Sequence, residues 1–240
     1  MLALQSEPKP APAKTAPPAA PARLPVLANG DLLHSKEFLR RYDRMPDVKK
    51  AELIEGVVFM GSPVSTSHAR PDMIIHAWLL TYSARTPGTE ALANVTVILD
   101  SQNTVQPDSL LRLLPARNGR TQETEAKLIF GPPELIVEIA ASSASIDAHK
   151  KLAAYQRSGV AEYLLWRVDE GRFDWFHLED EQYVAAQPDA AGILRSRVFP
   201  GLQVSLAALL AGDSAGVLAS LQEGLASPAH AEFVRAFTAQ

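Results

Sequence analysis

Glu138 interrupts the apolar run Leu135-Ile-Val-Glu-Ile, and a second acid, Asp108, stands inside Thr104-Val-Gln-Pro-Asp-Ser-Leu. Both runs have strand character, and a carboxylate is costly to bury in a sheet unless something offsets its charge. Side chains on one face of neighbouring strands meet across the sheet, so the two acids can converge on one divalent cation, one of the few partners able to hold both. A fold that uses both acids has to place these strands side by side with the acids on a shared face. A metal site is the first expectation.

The segments around these runs define the class. Helical spacing marks Ser35 to Tyr42, with Pro46 beyond its end, and His68 to Ala84, read as a mostly buried helix that stops before Pro87 and Gly88. Ala51 to Met60 reads as two strands meeting at Gly56. Further strands are expected at Ala91 to Leu99, Thr104 to Leu114 and Glu134 to Ala140, the first two joined at Asp100-Ser-Gln-Asn. Pro115 to Lys127 is a polar connection. Ile146 to Ser158 reads as a helix stopped by Gly159, and strands follow at Glu162 to Val168 and Arg172 to Leu178. From His68 the order is helix, three strands, helix, strand, which is an α/β pattern.

With 240 residues, 47% of them hydrophobic, the chain can build one sizeable core. Residues 1–30 form an expected Pro/Ala-rich disordered tail, poorest in large side chains from Met1 to Pro25. Residues 31–200 carry the main domain and 201–240 a short helical extension. No apolar run approaches the roughly 20 residues of a membrane span, and the N-terminus lacks the pattern of a secretory signal, so the expected compartment is the cytoplasm. A formal net charge of −4 speaks against a positively coated surface, so a nucleic-acid partner requires a local basic patch. There is no cysteine, which leaves oxygen or imidazole as metal ligands and favours magnesium or manganese over structural zinc. A cation held by two carboxylates and open to water can polarise a phosphodiester and acidify bound water, and a nearby lysine can stabilise the charge that develops.

The same residues carry a family likeness. Pro107-Asp108 followed by Val137-Glu138 resembles the PD-(D/E)xK nuclease superfamily and, within it, the Uma-type restriction endonuclease family. Glu52-Leu-Ile-Glu-Gly-Val-Val-Phe-Met looks like that family's opening strands, and Ser62-Pro63 through His68 like the entry to its first core helix. Lys151-Leu-Ala-Ala-Tyr-Gln-Arg-Ser-Gly-Val-Ala-Glu-Tyr looks like its second helix and following strand. The likeness runs from Phe38 to Leu178, and Arg197-Val-Phe-Pro-Gly-Leu resembles a C-terminal extension of many members. It implies a restriction-endonuclease-like αβββαβ core with a mixed central sheet and a helical C-terminal extension. It further implies an endonuclease that cleaves DNA phosphodiesters with Mg²⁺ or Mn²⁺, with Asp108 and Glu138 as metal ligands. Glu52 and His68 would line the pocket, and a homodimer is compatible with the family. The pattern departs at Ala140, where the superfamily has a lysine two positions after the glutamate; Lys151 on the next helix is the matching substitute.

Plainer readings compete with each assignment. An aspartate after a proline can simply end an edge strand, and a strand glutamate can pair with an arginine. Lys151 can be the helix-surface partner of Asp147, His68 a capping residue and Glu52 an exposed strand residue. Arg112, Arg117 and Arg120 can touch phosphate, but such residues more often form a solvated connection. His76, His149 and His177 show no ligand spacing, and Ser142 and Ser143 lack the Gly-x-Ser-x-Gly elbow of a nucleophile. The alternative function is a catalytically silent nuclease-fold module for nucleic-acid or protein binding, and a third is a hydrolase of small phosphoesters.

Overall fold

Helix and strand alternate along the chain and resolve, in a computed structural model that describes residues 25–140 and 145–238, into two six-stranded mixed sheets and a two-stranded antiparallel sheet, with helices against them. The first part contains α1 (Ser35–Tyr42), the hairpin β1 (Ala51–Ile54) and β2 (Val57–Met60), α2 (Thr66–Arg85), β3 (Thr89–Ala93), β4 (Val97–Ile98), β5 (Thr104–Val105) and β6 (Ser109–Leu113). Then come β7 (Gln122–Glu123), β8 (Ile129–Phe130), β9 (Leu135–Ala140), α3 (Ser145–Ser158), β10 (Glu162–Arg167), β11 (Arg172–Glu179) and β12 (Gln182–Ala185). The chain closes with β13 (Ile193–Arg195), β14 (Gln203–Ser205), α4 (Leu206–Leu210), α5 (Ser214–Leu225) and α6 (Pro228–Thr238). The tail up to Leu24, Ser142 and Ser143 lie outside the described residues, as do the side chains of Asp147 and His149.

The central sheet runs β12-β11-β10-β9-β6-β3, with β9 and β10 parallel across the α3 crossover and the other pairs antiparallel. Reading α2, β3, β6, β9, α3, β10 in chain order gives the expected αβββαβ core. The second sheet, β2-β1-β5-β4-β8-β7, lies over the α3 side of the central one. Strand alternation divides the apolar residues between two cores. Leu135, Val137, Ile139, Leu164, Trp166 and Trp175 face α2 and the C-terminal helices, while Leu110, Ile136, Tyr163 and Leu165 face α3 and the second sheet.

Three sequence expectations change. The runs Ala91 to Leu99 and Thr104 to Leu114 each divide between the two sheets: β3 and β6 belong to the central one, β4 and β5 to the other. The breaks fall where the backbone cannot continue a ladder, at Asn94 with φ 52° and at Pro107, which has no N–H to donate. The polar connection after Pro115 holds the short strand β7, which pairs with β8. Helix α2 is two-sided: Ile75, Trp78, Leu79 and Tyr82 are buried, whereas Met73 and Leu80 are exposed because the helix covers the sheet with one face only.

The C-terminal segment completes the α2-side core. Leu202, Val204, Leu209, Val217 and Leu221 are buried with the α2 residues, the Trp78 indole N–H donates to the Gln203 carbonyl at 2.9 Å, and the Tyr82 hydroxyl donates to that of Pro200 at 3.0 Å. At the other end Leu27 is buried with Phe38, Leu53 and Val58 on the outer face of the second sheet. Among the described residues no helix is long and apolar enough to cross a membrane.

Candidate active site

Register brings the two acids together. The β6–β9 ladder pairs Ser109 with Val137 and Leu110 with Ile136, so continuing it by one residue sets Asp108 opposite Glu138 on the α3-facing side. Pro107 ends strand pairing just before this point, which frees Asp108 to turn into the opening between the sheets. Its Oδ2 still accepts the Ile139 N–H at 2.8 Å, tying the carboxylate to β9 itself. Both acids line a cleft of about 520 Å³ together with Lys50, Glu52, His68, Asp72, Asn94 and Lys151.

Glu138 and Glu52 share one cation. The Lys151 ammonium lies 2.9 Å from Glu138 Oε1 and 2.9 Å from Glu52 Oε2, and the Tyr155 hydroxyl donates to the same Glu138 oxygen at 2.6 Å. Lys151 and Tyr155 are one helical turn apart on α3, so both face down onto β9. Glu52 arrives from β1, and its other oxygen accepts the Gln106 N–H at 2.8 Å, which joins the two sheets at the cleft. Lys150, one position earlier, points away and sits 5.1 Å above the Phe59 ring. Lys151, the helix lysine, thus places its ammonium beside Glu138, two residues before Ala140 on the same strand.

Asp108 is held differently. His68 Nε2, on the first turn of α2, lies 3.3 Å from Oδ2, and the Lys50 ammonium lies 3.2 Å from Oδ1. His76, one helix face further along, contacts the Asp108 carbonyl at 3.2 Å and Asp72 at 3.1 Å, bracing the backbone of the same residue. Burial pushes the Asp108 carboxyl up, but the His68 bond, the Lys50 charge and the Ile139 N–H outweigh it and hold the group well below the usual carboxylate range. Burial dominates at Glu138 and raises its pKa, with Lys151 offsetting only part and the negative charge of Asp108 adding to the rise. For Lys151, burial opposes the charge, yet Glu138 and Glu52 more than compensate and the ammonium is held protonated. The hydrogen bond to Asp108 raises the His68 pKa.

All five residues singled out from sequence, Asp108, Glu138, Lys151, Glu52 and His68, thus meet in one cleft. Lys50, Tyr155, His76 and Asp72 join them unannounced. The spacing contained a signal for three of these: Lys50 is two residues before Glu52, just ahead of β1 and in line with its Glu52 face, and Asp72 and His76 are four apart on a helix. The arginines go elsewhere. Arg112 is buried against Glu90 at 2.5 Å, and Arg120 donates to the Gly159 carbonyl at 2.7 Å. His177 is 3.2 Å from Glu162 on the opposite side of the sheet.

Among the described residues no three His, Asp or Glu side chains form a ready-made metal cage. Magnesium does not need one, since it is commonly held by one or two carboxylates and water. Asp108 and Glu138 supply two hard oxygen donors from opposed strand positions beside an open cleft, and this donor set fits such an ion. Two buried atoms lining the cleft, His68 Nδ1 and the Tyr163 hydroxyl, have no hydrogen-bond partner among the described residues, so the site has unused polar capacity.

Comparison with known proteins agrees with this architecture. The crystal structure of a putative nuclease belonging to DUF820 from Anabaena variabilis ATCC 29413 superposes with a TM-score of 0.55 at 15% identity, covering 72% of this chain and 97% of that one. At this identity the likeness shows a common fold. Comparison with curated proteins returns no match. The model of the Uma2 family, described as putative restriction endonuclease, matches residues 36–208, well over half of the chain, and the protein therefore belongs to the Uma2 family.

Proposed function

We propose that this protein is a metal-dependent endonuclease that hydrolyses DNA phosphodiester bonds in the cleft between its two sheets. The observation that carries the reading is the opposed pair Asp108 and Glu138, with Lys151 held at 2.9 Å from both Glu138 and Glu52 beside them. Asp108 and Glu138 would hold Mg²⁺ or Mn²⁺, which when bound supplies Lewis acidity toward a phosphoryl oxygen and acidifies water. The chain's own groups perform the rest. Lys151 is protonated and cannot take a proton, so its part is to donate a hydrogen bond to the attacking water and to balance negative charge. Tyr155 fixes the Glu138 carboxylate, and Glu52 fixes Lys151 from the far side. In the overall step a water oxygen bonds to phosphorus and releases a proton to solvent, the bond to the leaving oxygen breaks, and that oxygen gains a proton. His68, at the cleft 3.3 Å from Asp108, is the group placed to supply that proton.

The test is cleavage of supercoiled plasmid and of single-stranded DNA with Mg²⁺, Mn²⁺ or EDTA. Cleavage that requires the metal and disappears in Asp108→Asn and Glu138→Gln supports the reading; no cleavage under any condition sinks it. A second reading has its own support: Asp108 already receives Lys50, His68 and the Ile139 N–H, and such a closed network suits a catalytically silent module. Metal-independent DNA binding without cleavage is its signature.

A further inference from the structure

The cleft contains two lysines with different freedom. Lys151 is 7% exposed and has a carboxylate on two sides, so its ammonium is committed to the acid cluster. Lys50 is half-buried, with a side chain 31% exposed, and among the described residues its carboxylate contact is the longer 3.2 Å approach to Asp108 Oδ1. An ammonium has three donors, and this one faces a cleft that a phosphodiester must enter to reach Asp108.

The stem of Lys50 is fixed by the loop that follows β2. Gly61 donates its N–H to the Lys50 carbonyl at 2.9 Å, and a Cβ placed on Gly61 would lie 2.9 Å from Lys50 Cβ and 3.1 Å from Lys50 O. Only glycine lets the two backbones approach this closely, and the approach aims Lys50 inward along the same strand face as Glu52. Strand β1 thereby delivers an acid to Lys151, and the residue just before it delivers a cation to the opening.

We propose that Lys50 is the substrate-binding cation of this site: its ammonium donates to a non-bridging oxygen of the phosphodiester being cleaved, while Lys151 stays among the acids and serves the attacking water. The inference rests on the nuclease reading for the class of substrate, a nucleic-acid phosphodiester. It assigns the phosphate contact to the residue that leads into β1, where neither the strand lysine pattern nor the helix lysine would place it.

The experiment measures binding separately from cleavage. Fluorescence anisotropy of a labelled oligonucleotide in EDTA, across a salt series, is compared for wild type, Lys50→Met, Lys50→Arg and Lys151→Met, with plasmid cleavage in Mg²⁺ followed in parallel. Removing one phosphate contact should make the slope of log affinity against log salt shallower by about one in Lys50→Met, with affinity down roughly tenfold. Lys50→Arg should keep the slope, and Lys151→Met should keep it as well. Cleavage by Lys50→Met should fall on the order of a hundredfold in kcat/KM. Gly61→Ala, which retains the lysine but crowds its Cβ, gives an intermediate loss of affinity and covers the case in which Lys50→Met melts early.

An unchanged slope and affinity in Lys50→Met overturn the assignment even if the wild type cleaves DNA, and the nuclease reading then stands alone. A wild type that binds but never cleaves, with binding that weakens in Lys50→Met, leaves Lys50 in its role and removes the nuclease. A wild type that neither binds nor cleaves removes both.

Discussion

Glu138 and Glu162 are buried glutamates on adjacent strands of one sheet, and the protein neutralises them by opposite means. On the α2 side, Glu162 is fully buried and accepts the backbone N–H groups of Arg197 at 2.6 Å and Val198 at 3.1 Å, with the Trp175 indole at 3.2 Å on its other oxygen. Its donors are mostly parts of the fold, fixed in place and unable to leave. On the α3 side, Glu138 is held by an ammonium and a phenol, and its cross-strand neighbour Asp108 by an ammonium and an imidazole beside one N–H. The carboxylate held by the fold is met mainly by fixed backbone N–H groups and an indole, with His177 3.2 Å away, whereas the pair proposed for chemistry is met by side-chain cations, which a metal or a substrate can replace.

The strongest way to break this contrast is to neutralise the acids in turn. Asp108→Asn and Glu138→Gln should each lower metal-dependent DNA cleavage on the order of a thousandfold, about 4 kcal/mol of transition-state stabilisation. Their stabilities should diverge. Burial and Asp108 already disfavour the charge on Glu138, so Glu138→Gln should melt at the wild-type temperature or above it. His68, Lys50 and the Ile139 N–H favour the charge on Asp108, so Asp108→Asn should melt somewhat lower. Cleavage assays beside thermal melts decide both. Full activity in either variant would end the assignment of the metal ligands.

Removing the cation should cost the fold itself. Lys151→Met leaves Glu138 and Glu52 buried without their shared ammonium, and breaking such a pair destabilises by about 3 kcal/mol, readable as a lower urea midpoint. A double variant with Glu138→Gln should recover part of that loss, because one of the two stranded charges is gone. No recovery would mean that Lys151 stabilises through its stem and not its charge.

The contrast also explains what was legible in advance. Asp108 and Glu138 stood out because each interrupts an apolar run, and a local pattern of that kind is visible without a fold. The αβββαβ order was visible for the same reason, since each element carries its own period. Lys50 was only half visible: its spacing from Glu52 puts the two in line, but its contact with Asp108 spans 58 residues and depends on how one sheet lies over the other. The division of Thr104 to Leu114 between sheets was hidden as well: both halves are apolar, and only the lost N–H of Pro107 marks the break. Glu162 looked no different from Glu138 in sequence, although its partners are backbone groups from 35 and 36 residues away.

On the structural side of the sheet, Glu162→Ala should destabilise by about 2 kcal/mol, since two backbone N–H groups and an indole lose their acceptor inside the core. Metal-dependent cleavage measured well below the melting point should stay within a factor of a few of wild type. A loss comparable to that of Glu138→Gln would show that the two faces of the sheet are coupled and that the contrast between them is false.

The smallest effect belongs to Lys150, and it is the control that makes the larger ones interpretable. Successive residues on a helix project about 100° apart, so Lys150 and Lys151 share a position in sequence but not an environment. Lys151 meets two carboxylates at 2.9 Å, whereas Lys150 lies 5.1 Å over the Phe59 ring at the edge of the same cleft. A cation over an aromatic face at a partly exposed position stabilises by roughly 0.5–1 kcal/mol, and methionine retains much of the contact through its sulfur. Lys150→Met should therefore shift the urea midpoint barely at all and leave cleavage near wild type, against the large loss in Lys151→Met. Equal losses in the two variants would place the effect in the net charge of α3 and not in the pairing of Lys151 with Glu138 and Glu52, because net charge is the one property that both substitutions change alike.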